Sequence, residues 1–209
     1  KASGVLDITL THRGKHMGQK IPMCGVPVHA SESYLNKLIK NGFRVAVCEQ
    51  METPEDARKR GTKSVVKRAV VRVVTPGTIT EDGLLDSKEN NYLAALADLR
   101  GNMALAWLDI TTGSFQTCPV NIGSLMAELG RIEPEELLVS DHLLQNESAK
   151  GKLENWEKSL VSLNKSQFDS EVAKKKLEKT FKIISLDVLE NFSQSEIAAC
   201  GALIAYIEI

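Results

Sequence analysis

No stretch of this 209-residue chain approaches the ~20 consecutive apolar residues that a bilayer-spanning helix requires, and no basic-then-apolar leader opens it. Those absences argue against a membrane protein and set the expectation of a cytoplasmic one. There is no initiator methionine either: Lys1 to Ile8 runs straight into a strand-like pattern, as expected of the interior of a longer protein. Four cysteines (Cys24, Cys48, Cys118 and Cys200) include no CxxC pair. Cys48 and Cys118 fall in strand-like segments and Cys200 in an apolar helix, so reduced, buried thiols are expected rather than a disulfide scaffold. No internal repeat or low-complexity tract is present, and no Ser-His-Asp or Cys-His arrangement points to nucleophilic catalysis. The segment from Gly14 to Lys20 lacks the four-residue gap, the Ser or Thr after Lys and the helix that a phosphate loop needs.

What is present is the composition of a globular protein, 43% hydrophobic and 25% charged. Its net charge of -1 conceals an asymmetry. Residues 1–80 carry 14 Lys and Arg against 6 Asp and Glu, a net of +8; residues 81–209 carry 12 against 21, a net of -9. Two units with different partners are implied, the basic one suited to a polyanion. The sign changes in the polar stretch Thr80 to Asn90. The expected division is therefore 1–79, a linker at 80–90, and 91–209.

Apolar alternation from Val5 to Thr11 predicts a strand, and His12 to Lys20 a polar loop. Pro22, Gly25 and Pro27 forbid a regular helix and give a shaped loop. A helix is expected from about Ser31, as its N-cap, to an Asn41-Gly42 stop, with Tyr34, Leu35, Leu38 and Ile39 as its apolar stripe. Strands follow near 43–48 and 65–74, separated by a helical turn at 54–62 with Pro54 at its first position. Thr75-Pro76-Gly77-Thr78 is a turn. In the second unit strands are expected at 91–99, 102–111, 114–118 and 136–140, with a helix at 122–132 and further amphipathic helices to the end. This order predicts a mixed sheet with helices packed on it, as in ribonuclease H-like folds.

Four phrases in the first unit are more specific than any periodicity: Leu6 to Gly14, Ile21 to Ala30, Val45 to Gln50, and Val70 to Thr78. Their order and separations closely resemble the mismatch-recognition domain of the MutS family of mismatch-repair proteins. Asn91 to Ala95, Leu108 to Phe115, Glu133 to Leu138 and Ala199 to Ile207 resemble that family's connector domain, with only loose likeness between 145 and 195. The resemblance implies two α/β units: a small mixed-sheet mismatch-recognition domain lacking its N-terminal part, and a ribonuclease H-like connector. The family's Phe-X-Glu wedge motif would lie before Lys1, and its clamp, lever and ATPase regions after Ile209.

By the same resemblance the chain is expected to be non-catalytic and to bind mismatched double-stranded DNA. It would couple recognition to an ATPase region outside it, which would carry the ATP and Mg, and to a MutL-type partner; no cofactor is expected in the chain itself. The whole protein would be a homodimer and this chain a monomer. Arg13, Gly14, Met23, Gly25, Pro27, His29, Arg58, Lys59 and Arg72 are the implied DNA-contacting residues. Several have a plainer reading. Pro22, Gly25 and Pro27 could only shape a loop, His29 could cap the following helix, Arg58 and Lys59 could be a solvated helix end, and Arg72 could sit in a cross-strand ion pair. Three rival functions also stand. Asp98, Glu128 and Asp141 fall roughly where a ribonuclease H-like nuclease holds two metals. His12, His16, Cys24 and His29 form H-x3-H…C-x4-H, a loose zinc pattern. The acidic second unit could be a protein-interaction module with little DNA binding of its own.

Overall fold

A computed structural model describes residues 1–61, 64–79, 91–189 and 191–208, in two units, Lys1–Pro76 and Gly77–Ile209. The boundary expected at 80–90 lies outside the described residues.

In the first unit the predicted strand at 5–11 does not form. Ala2–Leu6 is a single helical turn (α1), ended by Asp7 in the left-handed region at φ 53°. Leu6 is buried and α1 packs against α2, Ser31–Lys40. The burial of Leu6 and the backbone bonds of Gly4 and Val5 to Lys1 hold this turn, where the alternation of 5–11 is too short to fix a strand. The expected polar loop is a β-hairpin instead, β1 (Thr11–His16) with β2 (Gln19–Met23), antiparallel. Met17 (φ 48°) and Gly18 (φ 80°) make its two-residue turn. Positive φ at both central positions matches the turn to the strand twist.

Helix α2 forms where its stripe predicts, with Ile39 buried. Its N-cap is Ala30 rather than Ser31. Ser31 is the first helical residue, and its hydroxyl donates to the Val28 carbonyl at 2.7 Å. The chain leaves α2 through Gly42 at φ 75°. Strand β3 (Val45–Gln50) pairs antiparallel with β4 (Arg68–Val74), with a bulge between Val47 and Cys48. Between them α3 (Pro54–Lys59) starts on Thr53, whose hydroxyl accepts the Asp56 N–H at 3.2 Å, with Pro54 at the first position where no N–H is missed. The buried apolar side chains described in this unit are few: Leu6, Ile39, Ala57 and Val74.

The second unit is built on a five-stranded sheet. Strands β5 (Tyr92–Leu99), β6 (Asn102–Asp109) and β7 (Ser114–Val120) run antiparallel. After α4 (Leu125–Ile132) the chain returns as β8 (Glu136–Ser140), parallel to β5. Helix α5 (Glu147–Leu153) leads to β9 (Leu160–Leu163), parallel to β8. The sheet order is β7-β6-β5-β8-β9, the ribonuclease H-like arrangement expected. Strand β9 is the strand of this unit that the sequence does not announce, four residues inside a region that reads as helices.

Helices α6 (Ser170–Phe181) and α7 (Gln194–Ile207) complete the unit. Both sheet faces are covered. Ala94, Leu96, Leu137 and Val139 join Leu125 and Leu129 of α4 in one cluster; Leu93, Ala95, Leu138 and Val161 join Ala198, Ala202 and Leu203 of α7 in the other. Burial on both sides explains why β5, β6 and β8 read as continuous apolar runs. A Cβ at Gly201 would overlap the Ala173 side chain and lie 2.8 Å from its Cα, so the glycine sets how closely α7 approaches α6. The buried Glu136 carboxylate accepts from the Gly77 N–H at 3.1 Å and from the Tyr206 hydroxyl at 3.3 Å, fixing the residue on which this unit begins.

Candidate nucleic-acid interface

Every residue of β1 and β2 is exposed. From Ile8 to Ser31 there is no Asp or Glu, while Arg13, Lys15 and Lys20 and three of the four histidines fall there. None of those three cations has a hydrogen bond or ion pair among the described residues. The register slips between His12 and Lys15, so that Arg13 and Gly14 together oppose Ile21. Gly14 takes up this bulge at φ 71°, a backbone that a side chain would strain. Beyond the slip Lys15 lies opposite Lys20 and His16 opposite Gln19. Met17 stands at the tip, 91% exposed.

Met23 ends β2 at 38% exposure, and the chain continues through half-buried Cys24 and exposed Gly25, Val26 and Pro27. Gly25 has neither a positive φ nor any atom within 4 Å of where a Cβ would stand. Nothing inside the fold demands glycine there. Pro27, in contrast, has a structural task, since its extended backbone (φ -63°, ψ 139°) leads into the short 3-10 turn Val28–Ala30. His29 lies in that turn, exposed, and makes no hydrogen bond among the described residues, so it caps nothing there. It is Ser31 that bonds locally.

The other implied contacts divide. Lys59 pairs with Asp56 at 2.8 Å, and this bond, with that from Thr53, holds the Asp56 carboxyl below the usual carboxylate range. Arg58 is exposed with no partner among the described residues. Arg60 bonds Glu52, whose carboxylate also accepts the Lys67 N–H at 2.7 Å, tying the end of α3 to the start of β4. Arg72 is exposed on β4 opposite Val47 and engages in an interaction within the protein. The strands that bring Lys15 opposite Lys20 are not expected from the sequence, where 12–20 reads as a polar loop. The signal available was a single Met-Gly pair, and a methionine at positive φ is uncommon.

The rival chemistries find no constellation. Asp98 accepts the Gly101 N–H at 2.8 Å in the β5–β6 turn, and Glu128 pairs with Arg131 at 2.9 Å. Asp141 accepts the His142 and Lys165 N–H groups at 2.8 and 3.1 Å. Among the described residues no three His, Cys, Asp or Glu gather where they could hold a metal ion, so His12, His16, Cys24 and His29 form no such group. An open depression of about 1260 Å³ does lie at the carboxyl ends of β5 and β8, lined by Asp98, Asn102, His142 and Lys165. The thiols correct one expectation: Cys48 is exposed, because it follows the bulge on a ribbon with little packed on it, and Cys118 and Cys200 are only half-buried. All four are free. Burial pushes the Cys200 thiol up to about 12 and raises that of Cys118.

These features define a two-domain α/β protein, a basic and open first unit followed by a densely packed ribonuclease H-like one. Residues 1–83 match the family described as MutS domain I, and residues 91–209 that described as MutS domain II. The chain belongs to the MutS family. Over 208 residues it is 51% identical to the DNA mismatch repair protein MutS of Ruegeria pomeroyi, covering all of this chain and 24% of that protein. It is 49% identical over 208 residues to that of Cereibacter sphaeroides (100% and 23%) and 47% identical over 209 residues to that of Wolbachia pipientis wMel (100% and 25%). The chain thus spans about a quarter of the length of these relatives. No helix among the described residues is long and apolar enough to cross a membrane.

Proposed function

We propose that this chain is the non-catalytic DNA-contacting and connecting part of a cytoplasmic mismatch-repair protein. Its first unit holds the backbone of duplex DNA, mismatched DNA in the whole protein, through β1, β2 and the loop after them. The observation that carries this is the acid-free, fully exposed hairpin whose cations have no partner among the described residues. Unpaired lysine and arginine on one projecting element are the electrostatic footprint of a polyanion site. Arg13 and Gly14 at the bulge, Met23, Gly25, Pro27 and His29 beyond it, and Arg58, Lys59 and Arg72 elsewhere are the proposed contacts. Gly25 is the most telling, because a glycine without an internal cause fits the close approach of another molecule's backbone. Lys59 is the weakest, since its charge is already met by Asp56.

ATP and Mg chemistry, and dimerisation, belong on this reading to regions outside the chain, which itself needs no cofactor and is a monomer. The second unit passes the binding event on and meets a MutL-type partner. Exposed Phe181, Ile184, Val188 and Leu189 favour a protein partner there, Ile184 being 99% exposed. Binding of the whole chain to a MutL-type protein, lost in Ile184→Asp, tests that role.

Fluorescence anisotropy with a labelled duplex, titrated with salt, tests the DNA reading. Weak binding is expected, with log affinity falling linearly against log salt and little preference for mismatched over paired DNA. Arg13→Ala should flatten that line by roughly 0.9, the effect of one phosphate contact. An unchanged slope refutes the Arg13 contact.

A further inference from the structure

The hairpin register carries a feature that folding alone does not explain. Lys15 and Lys20 are direct cross-strand neighbours, one step from the turn, with no acid in the hairpin to separate them. Directly opposite residues stand with Cβ atoms roughly 4.5–5.5 Å apart, and like charges at that spacing oppose pairing. The register keeps their Cβ atoms opposite each other. The tight Met17-Gly18 turn fixes which residues face each other, and the bulge at Gly14 takes up the irregularity on the far side of Lys15. Neither ammonium group has a partner among the described residues.

We infer that Lys15 and Lys20 form a clamp for one backbone phosphate of duplex DNA. The inference rests on the DNA-binding reading above and goes beyond it by naming the site and the group it takes. A phosphodiester offers two unesterified oxygens, so two ammonium groups on opposite strands can each donate to one of them. The mutual repulsion of the pair becomes joint attraction when that anion sits between. Lysine, a compact charge on a flexible stem, suits this task; the planar fork of arginine would fix one geometry. Arg13, displaced by the bulge, is left to meet a separate phosphate.

The test compares the intact chain with Lys15→Gln, Lys20→Gln and the double variant, using anisotropy of a labelled duplex across a potassium chloride series. The salt slope counts neutralised phosphates at about 0.9 each. A shared phosphate therefore predicts that the double variant loses about 0.9 of slope in all, no more than about what the larger single variant loses. A loss of about 1.8 in the double variant means two separate phosphates and overturns the clamp. An unchanged slope with normal wild-type binding also overturns it, while leaving DNA binding by the other residues standing. Wild-type chain without salt-sensitive binding would sink the DNA reading and the clamp together. Lys20→Glu keeps the fold in view: it replaces repulsion with attraction, so the thermal midpoint should hold or rise while DNA affinity falls at least tenfold. A lowered midpoint accompanied by unchanged affinity would make the pair structural.

Discussion

The two units differ in what their charged groups rest on, a core covered on both faces in the second and an exposed ribbon in the first. In the second, Arg131 lies 5.1 Å over the Trp107 ring and pairs with Glu128, Lys174 holds Asp187 at 2.7 Å, and Lys176 holds Glu208 at 2.8 Å. These pairs sit beside a core covered on both faces, while other cations of the same unit, Lys175 and Lys179 among them, make no ion pair among the described residues. In the first, Lys59 and Arg60 are used in the same local way, but the cations of the hairpin are not. Unpaired charge on a thinly packed ribbon contributes little to folding. It is available to a partner. The difference suggests that stability and recognition are separated along this chain, the second unit holding its shape by burial and the first keeping its surface uncommitted.

The sharpest break in that comparison should come from the core. Leu137 is fully buried in β8 and belongs to the cluster under α4. Leu137→Ala should cost about 2–5 kcal/mol through lost transfer energy and the cavity left behind. Both tryptophans, Trp107 and Trp156, lie in the second unit, so urea unfolding followed by tryptophan fluorescence reads that unit alone. DNA binding by the folded chain should stay unchanged. If DNA affinity fell in step with the fluorescence midpoint, the separation of roles would be wrong.

The thiols offer a second contrast of smaller consequence. At pH 8 a thiol raised to about 12 is ionised to the extent of only on the order of one part in ten thousand, and the thiolate is the attacking form. Cys200 of the second unit should therefore resist a disulfide reagent that modifies exposed Cys48 of the first, with rates differing at least ~100-fold. Mass spectrometry of partly modified, folded protein checks it. Comparable labelling would mean that α7 opens readily.

Much of the second unit was legible in the sequence because its physics is local and repetitive. Continuous apolar runs gave β5, β6 and β8, and Pro134 and Gly113 marked breaks where the chain does turn. Strand β9 was not legible: four residues are too few for a period, and its place is set by pairing with β8. In the first unit the hairpin escaped detection for the reason that makes it interesting. With every residue exposed it has no apolar face to alternate, and its turn is signalled by one glycine. Likewise the strand expected at 5–11 gave way to α1 because the burial of Leu6 is a tertiary fact. Arg13 and Gly14 came from resemblance; Lys15 and Lys20 needed the register.

The smallest expected effect probes how the second unit uses a buried charge. Asp109 ends β6 at 4% exposure, and its carboxylate accepts the Thr111 and Thr112 N–H groups at 2.9 and 3.4 Å. Burial by itself would raise its pKa, but the side-chain and backbone donors of Thr111 and Thr112 outweigh burial and hold the group below the usual carboxylate value. A carboxyl that ionises more easily folded than unfolded adds stability above its unfolded pKa, and that contribution fades as pH falls through the folded value. The window therefore lies below about pH 4. Asp109→Asn keeps an acceptor oxygen but removes the charge, so it should cost about 1 kcal/mol near pH 7, the difference between charged and neutral acceptors. That cost should shrink as pH is lowered from 7 towards about 2, through the depressed folded value, because the wild-type group then becomes neutral as well. Urea midpoints of the two proteins by tryptophan fluorescence at both pH values measure it. An equal deficit at both would show that the asparagine fits the turn badly, and that the charge of Asp109, like those on the hairpin, is not spent on holding the fold.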